Sequence, residues 1–393
     1  NRRFFTGLED ILLDWRLEID GDTVQKGIIK TLKANPGQKI PIRLKLKEPV
    51  ALPGQEVYLY LCYILKKSCK WADSGHKLGW DQFRIKEFEK KSDRAIFAFQ
   101  NNHLPDISIS EKYIKIESDQ GLLSFESNSG KLKQISFGGR DLLASSPQLN
   151  VWRAPTDNDG VKAWIGNEEK NSSNLISVST LNRWLHSGLN QLKLTNQICK
   201  VSEDFTCLNH GIKNGPKQIR FSELEKNLDQ SILQIEVEHQ YSCGSISNAF
   251  LHYIYWHVFP DLTLWMENKV VVHEELNDLP RIGISFQLQE GFKEFEWFGH
   301  GPHESYCDRL AGVRVGLFQS SVNDQYVPYI VPQEHGNKTG LRWITLRDGD
   351  CSGLMISSSG LFEGSVSHFP DELLYSTSHA FELKPLSETF VYL

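Results

Sequence analysis

Ile11-Leu12-Leu13-Asp14-Trp15-Arg16-Leu17-Glu18-Ile19 puts an apolar residue at every odd position, and Asp20-Gly21 follows. A period of two sends successive side chains to opposite faces, so this is a strand with one face on a core. Asp-Gly is a favoured two-residue hairpin turn. The pattern recurs outward from here. Ile40, Ile42, Leu44 and Leu46 alternate with mostly polar neighbours, and Pro49 to Gly54 breaks that run. Val57 to Leu65 is apolar on both faces, as in a sandwich-core strand. Short strands spaced by turns over about a hundred residues predict a seven-strand immunoglobulin-like β-sandwich for residues 1–105.

The polar stretch Asn101 to Ser110, which holds Pro105, marks the boundary. Strands then resume over residues 106–393: Tyr113 to Ile116, Leu122 to Phe125 and Leu132 to Phe137. Later alternations are Leu233/Ile235/Val237, Leu262/Leu264/Met266 and Ile282/Ile284/Phe286/Leu288. Only Ser177 to Gly188, with Leu181, Trp184 and Leu185, carries helical spacing. The class is all-β. A (β/α)8 barrel needs about 250 residues of strand–helix alternation, and no such run occurs.

A net charge of −6 argues against a nucleic-acid partner, which wants a basic stripe. The tract Lys213 to Gln230 mixes Lys and Glu and reads as a solvated face or loop. No apolar run is long enough to span a bilayer, so no membrane partner is expected. The seven Cys are odd in number and scattered without C-x-x-C, which favours free thiols and a cytoplasmic location. Asn171-Ser-Ser and Asn337-Lys-Thr match a glycosylation pattern that is common by chance. The chain opens Asn1-Arg2-Arg3 without Met and closes on the apolar Phe390 to Leu393. Both ends read as cuts, because a natural terminus is seldom left mid-strand.

Metal and nucleophile motifs are missing. His252 and His257 lie five apart in a strand-like run and point to opposite faces, so they cannot form a ligand pair. Three polar–aromatic clusters remain. Trp71 to His76 with Trp80-Asp81-Gln82-Phe83 reads as a bulged turn at Gly75 stapled by two Trp. Trp152-Arg153-Ala154-Pro155-Thr156-Asp157-Asn158-Asp159-Gly160 could hold sugar hydroxyls, which need donors and acceptors. It could equally be an Asx-turn network satisfying its own backbone. The third cluster runs from Trp297 to Arg309 and from Tyr326 to Gly336. It reads first as an ion-pair corner, since a buried Asp308 or Arg309 would need a partner. The 10 Trp, 12 Tyr and 21 Phe suit sugar stacking, though most aromatics in β-rich chains are core.

At these clusters the chain resembles the large five-domain bacterial family 2 β-galactosidases. Arg2-Arg3-Phe4-Phe5-Thr6 with Leu13-Asp14-Trp15-Arg16-Leu17 is similar to the start of that family's second immunoglobulin-like domain. The Trp71 to Phe83 cluster is similar to its late strands. Arg153 to Asp159, Gly301 to Arg309 and Tyr329 to Gly336 resemble the "small chain" domain. The resemblance implies a C-terminally incomplete, galactose mutarotase-like β-supersandwich over residues 106–393. It also implies a non-catalytic C-terminal part of a retaining β-galactosidase, which walls the galactose pocket and supports assembly. The two glutamates would sit on a barrel preceding Asn1, so no catalytic or metal-binding residue is expected in this chain. Magnesium and sodium would belong to the barrel. Arg153, Asp157, Asn158, Asp159 and Gly160 are the implied substrate-proximal residues, with the loop from Gly160 onward mobile near the active site. Gly160 as a gate could take Ala with its melting temperature nearly unmoved. The implied partners are a β-galactoside such as lactose and further copies in a homo-oligomer. The competing reading is a stand-alone carbohydrate-binding or assembly module. Two departures, Ser305-Tyr306-Cys307 for Asn-Tyr-Pro and Glu334-His335-Gly336 for E-N-G, put a polar role for those positions in question.

Overall fold

The computed structural model describes residues 1–52, 54–86, 104–160, 179–202, 231–349 and 353–393, and the backbone alone of 95–98 and 217–220. The tract 213–230 and the Asn171 pattern fall outside the residues whose side chains are described. The fold is all-β with antiparallel sheets, as the alternations predict.

Four strands open the chain: β1 (Ile11–Ile19), β2 (Asp22–Ile29), β3 (Val57–Leu65) and β4 (Lys77–Lys86), in the order β2-β1-β3-β4. Trp15 faces Leu61 and Leu17 faces Leu59, and the odd residues of β1 are all buried. The run from Ile40 to Leu46 departs from expectation, because it forms no strand. Its backbone at Lys47 is held by the Gln25 side chain, which donates to and accepts from it at 2.9 Å. A side-chain amide replaces one ladder step and cannot extend a ladder. Leu44 still packs against the core that Trp15, Leu17, Ile19, Val57 and Leu59 form, whereas Ile42 and Leu46 are exposed. Among the described residues, four strands stand between Ile11 and Lys86.

Beyond residue 105, a five-stranded meander runs from Asp106–Ile109 to Arg140–Asp141. A four-stranded sheet is built from Lys193–Ser202, Leu233–Cys243, Ile246–Val258 and Leu264–Val272. A seven-stranded sheet includes Leu143–Asn150, Gly283–Leu288, Glu294–Gly301, Lys338–Arg347 and Thr389–Tyr392. The three share one core, to which they contribute Ile114 and Phe125, Ile235 and Trp256, and Trp297 and Ile344. A second core holds Trp152, Trp184 and Phe250 beneath the helix Thr180–His186. That helix is where the spacing predicts it, capped by Ser179 Oγ accepting from the Asn182 amide at 3.2 Å.

His252 and His257 are both buried on Ile246–Val258, a strand paired along both edges. His252 bonds Asn268 Oδ1 at 2.9 Å and lies opposite His239, and burial pushes both imidazoles down in pKa. The first sheet docks on the seven-stranded one. Gln82 pairs through its amide with both backbone groups of Val315, at 2.6 and 2.9 Å, and so covers an edge strand. Buried Arg342 meets Glu56 and stacks on Phe298, and Arg314 meets Glu18 at 3.3 Å. In the Trp71 to Phe83 cluster Gly75 turns the chain at φ +92°, and the two Trp act apart: exposed Trp71 lies edge-on to His76, whereas Trp80, on β4, meets Tyr60.

Candidate functional site in the small-chain region

A cleft of about 910 Å³ brings together the second and third clusters, which lie some 150 residues apart in sequence. Arg153, Asp157, Asn158 and Asp159 form one wall, and Tyr306 and Arg309 belong to another, with Tyr329, Gln333 and Glu334 beside them. The first cluster takes no part.

Within Trp152 to Gly160, the self-satisfied reading describes half of the loop. Asp159 accepts from both Arg153 Nη atoms, at 2.7 and 3.0 Å, and from the Thr156 amide and hydroxyl at 2.8 Å each. These bonds cap the single 3-10 turn Asp157–Asp159. Arg153 also stacks on Trp184 at 5.0 Å. Asp157 and Asn158 are exposed, and among the described residues Asp157 bonds Gln333, through its own amide at 3.3 Å and its carboxylate at 3.4 Å. They are the loop's available polar groups.

Gly160 does not line the cleft. Its φ is +126°, and an added Cβ would meet Ser179 Cβ at 2.9 Å and Oγ at 3.0 Å. That serine caps the helix, so an added methyl group would press on the cap. The close contact predicts a shifted melting temperature where the gate reading expects one nearly unmoved. Gly160→Ala should destabilise the chain by about 1 kcal/mol or more. Thermal unfolding checks this, and an unchanged midpoint would restore the gate.

The third cluster pairs differently from its sequence neighbours. Arg309 bonds Glu304 at 2.6 Å and stacks on Tyr306 at 5.1 Å, while Asp308 is exposed. Glu304 also accepts from the Tyr329 hydroxyl and, at 2.8 Å, from the Gly336 amide. At the two departures, Ser305 bonds the Thr339 hydroxyl at 2.9 Å and His335 Nδ1 approaches the Gln333 carbonyl at 3.0 Å. Asn337, of the second glycosylation pattern, is buried with its amide on Ser305 O and Glu363.

Sequence reasoning missed the cleft floor. Arg281 bonds Glu334 at 2.5 Å, lies 3.5 Å from Asp371 and stacks on Tyr392 at 5.0 Å. Burial pushes the Tyr306 and Tyr392 phenols well up. No local motif flags Arg281 or Asp371, which are 90 residues apart. All three cleft arginines are thus ion-paired and stacked on a ring.

Residues 117–393 match the β-galactosidase small chain family. The chain belongs to that family. Residues 1–86 match domain 4 of β-galactosidase. The β-galactosidase of Priestia megaterium is 25% identical over 99% of this chain and 33% of its own length. That of Halalkalibacterium halodurans is 26% identical over 100% and 34%. The Vibrio cholerae enzyme is 25% identical over 87% and 29%. This small-chain protein therefore spans about a third of the β-galactosidases it matches, and both clusters of the cleft fall within the small-chain match. No helix among the described residues is long and apolar enough to cross a membrane.

Proposed function

We propose that this chain is the non-catalytic C-terminal part of a retaining family 2 β-galactosidase, and that its cleft walls the galactose pocket. The observation that carries this reading is the cleft's polar inventory. Its arginines are committed to partners, whereas Asp157 and Asn158 stand exposed in the cleft that Tyr306 and Tyr329 also line. Exposed acceptors next to aromatic faces suit sugar hydroxyls and sugar rings. On this reading an upstream barrel supplies two glutamates, about 5–5.5 Å apart in retaining enzymes. Magnesium and sodium go with the barrel, and no residue here is assigned to them. Lactose is the natural candidate substrate, in a cytoplasmic homo-oligomer.

The purified chain alone should not turn over a chromogenic β-galactoside, and in the full-length protein Asp157→Ala and Asn158→Ala should each raise KM. Loss of one neutral hydrogen bond, as at Asn158, corresponds to roughly 2- to 10-fold, and loss of a charge-assisted one, as at Asp157, to roughly 10-fold or more. Turnover by the chain above a heat-killed control, or KM unmoved in both variants, sinks the reading.

A further inference from the structure

Asp371 meets the Arg153–Asp159 loop at the Ala154 amide. Asp371 opens the short helix Asp371–Ser376 and is buried. Its Oδ1 accepts the Ala154 amide at 3.3 Å, and its Oδ2 lies 3.5 Å from Arg281 Nη1. Its own amide donates to the Tyr392 hydroxyl at 3.1 Å. On the next turn, Tyr375 meets Trp152 edge-on at 5.4 Å. Trp152 in turn meets Trp184, the ring under Arg153. Ala154 is fully buried, so water does not compete for its amide.

We propose that Asp371 is a positioning residue for this loop, acting through the Ala154 amide and Arg281, and that its charge sets how tightly the loop is held. The kinetic half of this proposal rests on the pocket-wall reading. The groups facing Asp371 are Arg281, Glu334, Glu372, Tyr392 and the Ala154 amide. Burial and, after the opposing Arg281, Glu334 raise its pKa to about 7. A carboxylate accepts a hydrogen bond more strongly than a carboxylic acid. The loop is therefore held above neutral pH and loosened below it. A folded pKa raised above the unfolded one means that the ionised form is disfavoured in the fold. Asp371→Asn, which keeps the shape and one acceptor but cannot ionise, is accordingly expected to fold.

Amide hydrogen exchange of the chain, corrected for intrinsic rates, tests the idea below pH 6 and above pH 8. In the wild type, the 153–159 segment should gain several-fold protection on the alkaline side, with β1 and β3 unchanged. In Asp371→Asn, protection of the segment should be low and equal at both. A variant whose segment keeps wild-type protection at alkaline pH overturns the positioning role, and a wild-type segment indifferent to pH overturns its charge dependence. A variant that loses protection throughout the chain also overturns the positioning role, since that is a structural role. In the full-length protein at alkaline pH, Asp371→Asn should raise KM for a nitrophenyl β-galactoside several-fold and hold kcat. Altered exchange with unaltered KM would leave the positioning standing and remove the pocket-wall reading.

Discussion

Replacing Arg281 with methionine should destabilise the chain by about 3–5 kcal/mol, the range for breaking a buried ion pair from one side. Arg281 is 16% exposed, and the carboxylates it serves, Glu334 and Asp371, are 4% and 5% exposed. Methionine matches the aliphatic stem but leaves two buried acids facing each other. The loss should therefore be pH-dependent. Without the guanidinium Asp371, already raised by burial, loses the charge that opposes that rise, so the variant recovers stability as pH falls and the carboxylate takes up a proton. Adding Glu334→Gln should return part of the loss at neutral pH. Urea unfolding of the three proteins measures all of this. A single-variant loss under about 1 kcal/mol, or no recovery on acidification, would mean that the cluster is solvated.

Trp297→Ala should cost about 3–5 kcal/mol by the cavity it leaves. Trp297 is 1% exposed, stacks with Phe295 at 4.8 Å and with Phe318 at 5.4 Å, and its indole nitrogen donates to His300 O at 3.0 Å. Buried Lys338 lies 5.1 Å over the ring, and burial lowers its pKa to about 8. Its ammonium would lose an aromatic face as well. The strand Glu294–Gly301 leads directly into the segment that carries Glu304, Tyr306 and Arg309, so the damage should reach the cleft. Denaturant unfolding, with amide exchange at 302–309, is the check. A loss near 1 kcal/mol would show that the neighbouring rings close the cavity.

Much of the β-structure was legible because strand periodicity is local. The odd residues of β1, the runs at 113–137 and the helix at 180–186 each announce themselves within a dozen residues. The run from Ile40 to Leu46 misled for the complementary reason. Alternation reports a face, whereas a strand also needs backbone partners, and here the partner is the Gln25 side chain. At the site, the clusters at 152–160 and 301–336 were visible as dense polar and aromatic sequence. The split of labour between Arg153/Asp159 and Asp157/Asn158 was not, because composition does not say which acceptor a guanidinium takes.

By itself the sequence determined the all-β class, the family resemblance and the two polar segments that meet at the cleft. Only the tertiary structure decided that Arg309 pairs with Glu304 rather than Asp308, that Gly160 is packed against Ser179, and that Arg281, Glu334 and Asp371 share one buried cluster. The physical reason is range. Side-chain alternation and hairpin turns are set by neighbours along the chain. A buried charge is tolerated only where the fold delivers its counter-charge, from wherever in the sequence that comes.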